Sequence, residues 1–148
     1  DQSILASPVT VAATASSGLT VAFASNSLAV CTVSGTSVTL LTAGTCSITA
    51  SQAGDADWNA AAPMVTQVFQ VTLASSTTVV TCPASVVYDG TAQTPCTVAV
   101  TGAGGLSLSP TPIYTLNTAV GTATASYTYA GDANHAGSTD SIDRSCQS

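Results

Sequence analysis

Residues 29–52 read AVCTVSGTSVTLLTAGTCSITASQ, and their pattern determines the fold class. Apolar and polar residues alternate along three runs, which are separated by clusters rich in Gly, Ser and Thr. The runs are 29–35, 37–43 and 46–52. A period of two is typical of strands that bury one face, and Gly and Ser between such runs indicate turns. This stretch therefore predicts three half-buried strands joined by short turns.

The same alternation continues on both sides of this stretch and through the rest of the chain. It recurs in the runs 8–15, 19–25, 64–73, 78–90, 94–105, 106–116 and 121–131. The core candidates in the run 64–73 are Val65, Val68, Phe69 and Val71. Asp89-Gly90 indicates a hairpin or another tight turn. Since no stretch shows helical periodicity with caps, we predict an all-β fold with essentially no helix.

A short phrase occurs twice: AGDAD at 53–57 returns as AGDAN at 130–134. A chain that repeats a unit of roughly 75 residues is a tandem array, and such arrays usually build length rather than catalytic sites. We therefore predict two domains, 1–75 and 76–148, with a short linker at 74–77. Short strands at regular turn spacing favour a pair of tandem immunoglobulin-like β-sandwiches.

The charge inventory is extreme. Only 5% of residues are charged, the net charge is −6, and Arg144 is the one basic residue besides a single His. Nucleic-acid binding needs Lys and Arg, so we expect no such partner. The sequence has no apolar run long enough for a membrane span. A surface with so few charges would be poorly soluble in a free monomer, because like charges normally keep protein surfaces apart. We therefore expect that neighbouring subunits cover it, that it carries O-linked glycans, or that its Ser and Thr hydroxyls suffice for solubility.

Four of the five cysteines form two evenly spaced pairs. Cys31 and Cys46 lie in the first half, and Cys82 and Cys96 lie in the second. In an oxidising compartment this spacing predicts two disulfides, each contributing roughly 3 kcal/mol. Cys146 is left as a free thiol, as an intermolecular disulfide to a neighbouring subunit, or as a residue whose partner lies outside the sequence. No spacing fits a zinc site.

One loop has the alternate oxygen ligands with which calcium loops begin: Asp55, Asp57 and Asn59. The bidentate Glu of such loops is absent, because the seven acidic residues are all Asp. In the alternative, Asp55 and its counterpart Asp132 accept hydrogen bonds from amides of their own turns. We expect no other cofactor.

Catalysis has little basis in this sequence. Ser138, His135 and Asp132 can be written as a triad, yet one loop cannot orient all three and supply an oxyanion hole. We therefore expect no enzyme. The single Trp, Trp58, is predicted to plug a sandwich end or a domain joint, or else to stack on a sugar. Tyr127 and Tyr129 share a strand face and are predicted to pack in the core or at the joint between the domains.

The first half resembles the Ig-like repeats of large bacterial surface proteins. The matching phrases are SSGLTV at 16–21, VCTVSG at 30–35, AGTC at 43–46 and AGDADWNAA at 53–61. Thr20 stands where Pro is common and Trp58 where Tyr is usual. The second half resembles the MBG-type repeat of similar proteins, through YDGTAQ at 88–93 and YAGDAN at 129–134.

Two departures from these families bear on assembly. The first repeat should have one more edge strand, but only DQSIL precedes 7–15, and the final run 138–148 is unusually polar. An incomplete sandwich exposes unpaired backbone, so we predict that a neighbouring subunit adds the missing strand, or that the strand lies outside this sequence. We expect copies to join end to end through strand pairing around the N-terminal segment 1–14 and the final strand 138–148, which ends weakly. The assembly candidates are Ile4, Leu5, Val9, Val11 and Ile142.

The resemblance implies a structural role. We expect a subunit or repeat of a bacterial extracellular fibre or surface stalk, stabilised by disulfides and joined end to end to copies of itself. The chain begins at Asp1 without Met, as expected of a processed protein or a fragment. The alternative is an adhesive or carbohydrate-binding module of a cell-surface protein, with Trp58 or the region of Tyr88 as the aromatic contact.

Overall fold

The protein is built almost entirely from β-strands. A computed structural model describes residues 1–147. They form fourteen strands and two short 3-10 turns, Ile4–Ala6 and Ala103–Gly105. The prediction of an all-β fold essentially without helix is confirmed for this part of the chain.

The chain divides into two compact units, Asp1–Leu73 and Ala74–Ser148. The division falls within the predicted linker region, two residues before the predicted boundary. The reason is Ala74, whose N–H donates to Asn134 O and whose carbonyl accepts from Ala136 N, both at 2.8 Å. Ala74 is therefore fastened to the second unit.

Seven strands form two sheets in the first unit. They are β1 Gln2–Ser3, β2 Val9–Thr10, β3 Ala22–Ser25, β4 Cys31–Ser34, β5 Ser37–Leu40, β6 Gly44–Ser51 and β7 Val65–Thr72. The larger sheet has the order β1-β7-β6-β3, and the smaller has the order β2-β5-β4. All neighbours are antiparallel except β1 and β7, which run parallel.

The two sheets of this unit bury their apolar faces in one core. Its members are Ile4, Cys31, Val38, Leu40, Cys46, Ile48 and Val71. The disulfide between Cys31 and Cys46 joins β4 of the smaller sheet to β6 of the larger one. Strand β5 illustrates the alternation, because Val38 and Leu40 are buried while Ser37 and Thr39 are exposed.

The run 64–73 contributes fewer core residues than its sequence predicts. Phe69 is half-buried and Val71 is buried, but Val65 and Val68 are 56% and 62% exposed. Val68 lies on the outer face of β7. Val65 lies on the inner face, where the smaller sheet no longer covers it. The predictions of core positions at Val65 and Val68 are therefore wrong.

Two other predicted strands are shorter than their alternating runs. Only Val9–Thr10 of the run 8–15 and Ala22–Ser25 of the run 19–25 pair as strands. The intervening residues 11–21 follow an irregular path. This irregular segment leaves one end of the larger sheet without a strand packed against its inner face.

Seven strands also form two sheets in the second unit. They are β8 Ser76–Thr81, β9 Ser85–Val87, β10 Thr97–Gly102, β11 Ser107–Leu108, β12 Ile113–Thr115, β13 Gly121–Tyr129 and β14 Ser138–Gln147. The sheet orders are β11-β10-β8 and β12-β13-β14-β9. The core consists of Val80, Cys96, Val98, Val100, Ala125 and Tyr129, with Tyr127 partly buried against it. Both tyrosines pack in the core, as predicted.

The second disulfide is placed differently from the first. Cys82 and Cys96 flank the paired strands β8 and β10, whose register brings Thr81 opposite Thr97. The bond therefore continues a ladder within one sheet. Asp89 Oδ1 accepts from Thr91 N at 3.0 Å and forms the predicted turn, but no hairpin results because β9 and β10 belong to different sheets.

The final strand is the longest in the structure, although its sequence predicts a weak and polar end. β14 pairs with β13 from Ser138 to Cys146 and with β9 on its other side. Its polar residues are mostly exposed, whereas Arg144 and Cys146 point into the unit. The prediction of a weak final strand is therefore wrong for the described residues. Because β9 pairs only with Ser145–Gln147, one side of Ser138–Arg144 has no strand partner among the described residues, and strand pairing to another subunit through 138–148 stays a prediction. Residue 148 lies outside the described residues.

The inter-sheet disulfide should carry a large share of the first unit's stability. Replacing both residues in the double variant C31A/C46A releases a loop constraint worth roughly 3 kcal/mol. We expect the free energy of unfolding of this unit to fall by about that amount in denaturant titrations. The matched variant C82A/C96A leaves the first unit's transition unchanged. A loss below about 1 kcal/mol in C31A/C46A contradicts the expectation.

Candidate functional site

The N-terminal segment packs on its own unit. Gln2 and Ser3 pair with Val71 and Thr72 at one end of β7. Ile4 follows and is buried in the core. Its prediction as an assembly contact is therefore wrong, because its side chain is already covered.

The other four assembly candidates are more exposed to solvent than Ile4. Val9 and Val11 are partly buried against the first core, while Leu5 is 37% exposed. Ile142 lies opposite Ala125 on β14 and is also 37% exposed. Of these four residues, only Ile142 lies on a long stretch of strand, Ser138–Arg144, that lacks a strand partner on one side among the described residues. Part of that side is bonded to β8, because Thr78 and Val80 donate to Ser138 and Asp140.

A long free edge exists on β7. This strand pairs with β6 from Val65 to Val71, but on its other side it meets only β1, at Val71 and Thr72. The backbone of Val65–Gln70 therefore has no strand partner on that side among the described residues. We call this stretch the β7 edge. Its residues include no charge, Pro or Gly, the features that usually protect an edge from pairing.

An apolar cleft lies beneath the β7 edge. It has a volume of about 330 Å³ and lies on the inner face of the larger sheet, at the end that the smaller sheet leaves uncovered. Its lining includes Phe23, Ala50, Val65 and Phe69, together with the irregular segment 11–15. Ala50 pairs with both Phe23 and Val65, so these three side chains share one face. No residue of the lining is charged.

The repeated phrase encodes the same turn in both units. Asp55 Oδ1 accepts from Asp57 N at 2.9 Å and from Trp58 N at 3.0 Å. Asp132 Oδ1 accepts in the same way from Asn134 N at 2.8 Å and His135 N at 2.7 Å. In each turn the aspartate N–H also donates to the carbonyl three residues on. In both loops, the aspartate therefore accepts hydrogen bonds from amides of its own turn, as the alternative to calcium binding predicts.

The calcium candidates do not form a cage. Asp55 Oδ1 already accepts two backbone amides, and Asp57 and Asn59 are exposed. Among the described residues, no three His, Cys, Asp or Glu side chains come together as metal ligands. The geometry therefore gives calcium binding no support at this loop.

His135 is buried between two acceptors. Its Nδ1 lies 2.9 Å from Asp132 Oδ1 and its Nε2 lies 2.7 Å from the Ala103 carbonyl oxygen. Both contacts are hydrogen bonds only when both ring nitrogens carry protons. The Ala103 carbonyl and then the Asp132 carboxylate raise the pKa of His135. The Tyr129 hydroxyl, at 2.8 Å, and the Asn134 amide hold the pKa of Asp132 well below its usual range.

The suggested triad does not form. Ser138 Oγ lies 2.7 Å from the hydroxyls of Ser76 and Thr78, and these hydrogen bonds hold the Ser138 side chain against β8. Because His135 Nε2 faces the Ala103 carbonyl, it has no position from which to take a proton from Ser138. The Asp132–His135 pair joins its loop to the turn Ala103–Gly105 through the Ala103 carbonyl.

Trp58 is 52% exposed at the tip of the Asp55 turn. The prediction that it plugs an end of its own sandwich is therefore wrong. Tyr88 is half-buried, and its N–H donates to Gln147 O at 2.8 Å. Of the two aromatic candidates for ligand stacking, Trp58 is the more exposed, with about half of its surface accessible.

Two residues of β14 have surroundings that the sequence did not predict. Cys146 is a free thiol buried in its unit, so an intermolecular disulfide at this position would require β14 to move. That prediction is contradicted by the burial. Arg144 is also buried, and its Nη2 donates to Gln93 O at 3.4 Å, while Nε and Nη1 have no partner within the described residues.

Sequence reasoning missed the β7 edge and its cleft. The signal was present in residues 64–73, where ten consecutive residues after Pro63 contain no charge and no turn former. Such a run normally reads as a buried central strand. Finding it at a sheet edge is the anomaly that singles it out.

Comparisons with known proteins leave the function to be argued from this geometry. No protein-family model matches the chain, and neither a curated protein nor a solved structure shows significant similarity to it. In residues 1–147, no helix has the length and apolar character needed to cross a membrane. The two disulfides are typical of an oxidising compartment.

The repeated turn should depend on its glycine. Gly54 has φ +77°, and a Cβ at this position would lie 2.6 Å from Ala60 N and closer still to the Trp58 carbonyl. The matched control is Gly18, which has φ +74° and open space around it. We expect Gly54→Ala to destabilise the first unit by at least about 1 kcal/mol more than Gly18→Ala. Equal decreases in the free energy of unfolding of the two variants in denaturant titrations would contradict a destabilising effect of these close contacts.

The stability of the second unit should fall as the pH rises through neutrality. The pKa of His135 in the folded protein is raised above its unfolded value of about 6.5. The protonated ring therefore contributes its full stabilisation below about pH 6.5, and this stabilisation is lost as the pH rises through the folded pKa. The opposite shift of Asp132 removes stability only in acid. We expect His135→Gln to flatten the slope between pH 6 and 9. Since His135 is the only histidine, an equal slope in the variant refutes the assignment.

Proposed function

We propose that this protein is a structural subunit or repeat of a bacterial extracellular fibre or surface stalk, built from tandem immunoglobulin-like β-sandwiches. The observation that carries the proposal is the β7 edge, which lies unpaired above an apolar cleft. An uncovered edge of this kind pairs readily with a strand of another chain. A subunit that assembles is expected to carry such an edge, whereas a monomer would normally protect it.

The sheet pairs support the immunoglobulin-like interpretation. In each unit a three-stranded and a four-stranded sheet occur together, and in the first unit a disulfide links the two sheets through the core. Seven short strands and an inter-sheet disulfide are typical of immunoglobulin-like sandwiches. The sequence resemblance to Ig-like and MBG-type repeats of bacterial surface proteins agrees with this arrangement.

Surface chemistry supports an assembled state outside the cell. Only 5% of residues are charged, and the single Arg is buried. A surface with so few charges gains from being covered by neighbouring copies or by O-linked glycans. We propose no catalytic role, because His135, the one histidine, has both ring nitrogens bonded to structural acceptors.

An adhesive or carbohydrate-binding role is the second candidate. Its supporting observation is Trp58, whose ring is about half exposed on a rigid turn. Exposed aromatic rings of this kind stack on sugars and other flat apolar surfaces. Under this alternative the two units act as a spacer that presents Trp58.

Electron microscopy of the native secreted material tests the proposal. We expect filaments with a regular axial repeat whose subunits carry this chain, because the β7 edge favours pairing between chains. Isolated particles without periodic contacts would overturn the fibre role. Binding of Trp58→Ala and wild-type protein to a glycan array separates the alternative: binding by the wild type that the variant loses favours adhesion, and wild-type filaments without glycan binding favour the fibre.

A further inference from the structure

Two segments of the chain hold half of its exposed large apolar side chains. The first segment is at the β7 edge, with Met64, Val65 and Val68. The second lies between β11 and β13, with Leu108, Ile113, Leu116 and Val120. Scattered exposed apolar residues are ordinary, but Val65 lies beside the unpaired β7 edge, and an exposed apolar residue beside such an edge marks an interaction surface.

The second segment also contains a free strand edge. β12 pairs with β13 on one side, and on its other side Ile113–Thr115 has no strand partner in residues 1–147. We call it the β12 edge. Pro110 and Pro112 precede it and cannot donate backbone hydrogen bonds, so a new strand can pair only from Ile113 onward. The side chain of Ile113 is 65% exposed.

Leu116 marks the end of the β12 edge in a way that calls for an explanation. Among the described residues it is the one non-glycine with positive φ, at 57°, and its side chain is 76% exposed. A bulky residue rarely adopts a left-handed backbone conformation, and a large apolar side chain gains nothing from exposure to solvent. Leu116 therefore departs from local preference in both its backbone conformation and its exposure. Such residues occur at functional contacts more often than elsewhere.

We propose that the β12 edge of one copy adds to the β7 edge of a second copy, placing the apolar side chain of Ile113 at the cleft and Leu116 at the end of the contact. This inference rests on the proposed fibre role and names its joint. The β7 edge offers six residues of unpaired backbone, and the β12 edge offers a short extended segment that the prolines delimit. The cleft below the β7 edge supplies space for side chains from the added strand.

A second copy suits this joint better than a partner recognised by charge. The lining of the cleft contains no charged residue, and neither does the segment 106–120. The two surfaces match in chemistry, and both occur in one chain. Because they are different surfaces, the contact is heterologous, so each copy that receives a strand still has a strand to offer. A contact of this kind extends into a filament or closes into a ring.

Two lysine variants test the joint. Val65→Lys places a charge at the β7 edge, and Ile113→Lys places one at the β12 edge; a lysine is a common natural block to edge pairing. Both residues are more than half exposed, so both variants should fold, as unchanged circular dichroism and unfolding transitions would show. Leu28→Lys is the matched control, since Leu28 is an exposed aliphatic residue of the first unit outside the cleft lining.

Sedimentation velocity and electron microscopy of the full chain give the readout. We expect the wild type and Leu28→Lys to polymerise with rising concentration, and each edge variant to associate at least tenfold more weakly. An equimolar mixture of Val65→Lys and Ile113→Lys should form dimers and stop there, because each mixed pair has one intact joint. This complementation cannot arise from a general loss of folding.

The outcomes separate the joint from the proposed function. Wild-type filaments that persist in Val65→Lys and Ile113→Lys overturn this joint and leave the fibre role standing. Filaments lost in both variants without dimers in the mixture overturn the heterologous pairing. A wild type that stays monomeric at all concentrations excludes a second copy as the occupant and also contradicts assembly by the chain itself.

Discussion

The disulfide between Cys31 and Cys46 is the constraint on which the first unit depends. It fastens the two sheets at the end where the core is well filled. At the other end the inner face is built from Ala50, Phe23 and Val65, and an irregular, alanine-rich segment lies where a strand would normally pack. A core of this size has little stability to spare, so a covalent bond at one end allows the other end to remain open.

The repeated turn shows how two units with one local plan acquire different roles. The aspartate, the glycine before it and the backbone hydrogen bonds are the same in both loops. The fourth residue differs: Trp58 faces solvent, whereas His135 is buried and joins its turn to the Ala103 carbonyl. Local sequence therefore determines the turn, and the packing around it determines what the turn presents.

Much of the fold could be predicted from the sequence, because alternation identifies strands and the faces they bury. The all-β class and the packing of Tyr127 and Tyr129 followed from alternation, and both disulfides followed from the cysteine spacing. Pairing between strands could not be predicted in this way. The burial of Ile4 and Cys146 and the central place of β14 depend on which edges meet across the chain. The β7 edge was missed for the same reason, since a charge-free run resembles a central strand until its neighbours are known.

The burial of Arg144 has a consequence for resistance to proteolysis. Trypsin-like proteases cut after Lys or Arg, and this chain contains no Lys and a single Arg. That Arg is buried within β14, where it pairs with Ala123 of β13, and β9 pairs with the strand on its other side from Ser145 onward. Cleavage there requires the strand to leave the sheet first, because a protease binds its substrate as an extended, unpaired segment. A surface fibre made of such units would present digestive enzymes of this class with no accessible bond among residues 1–147.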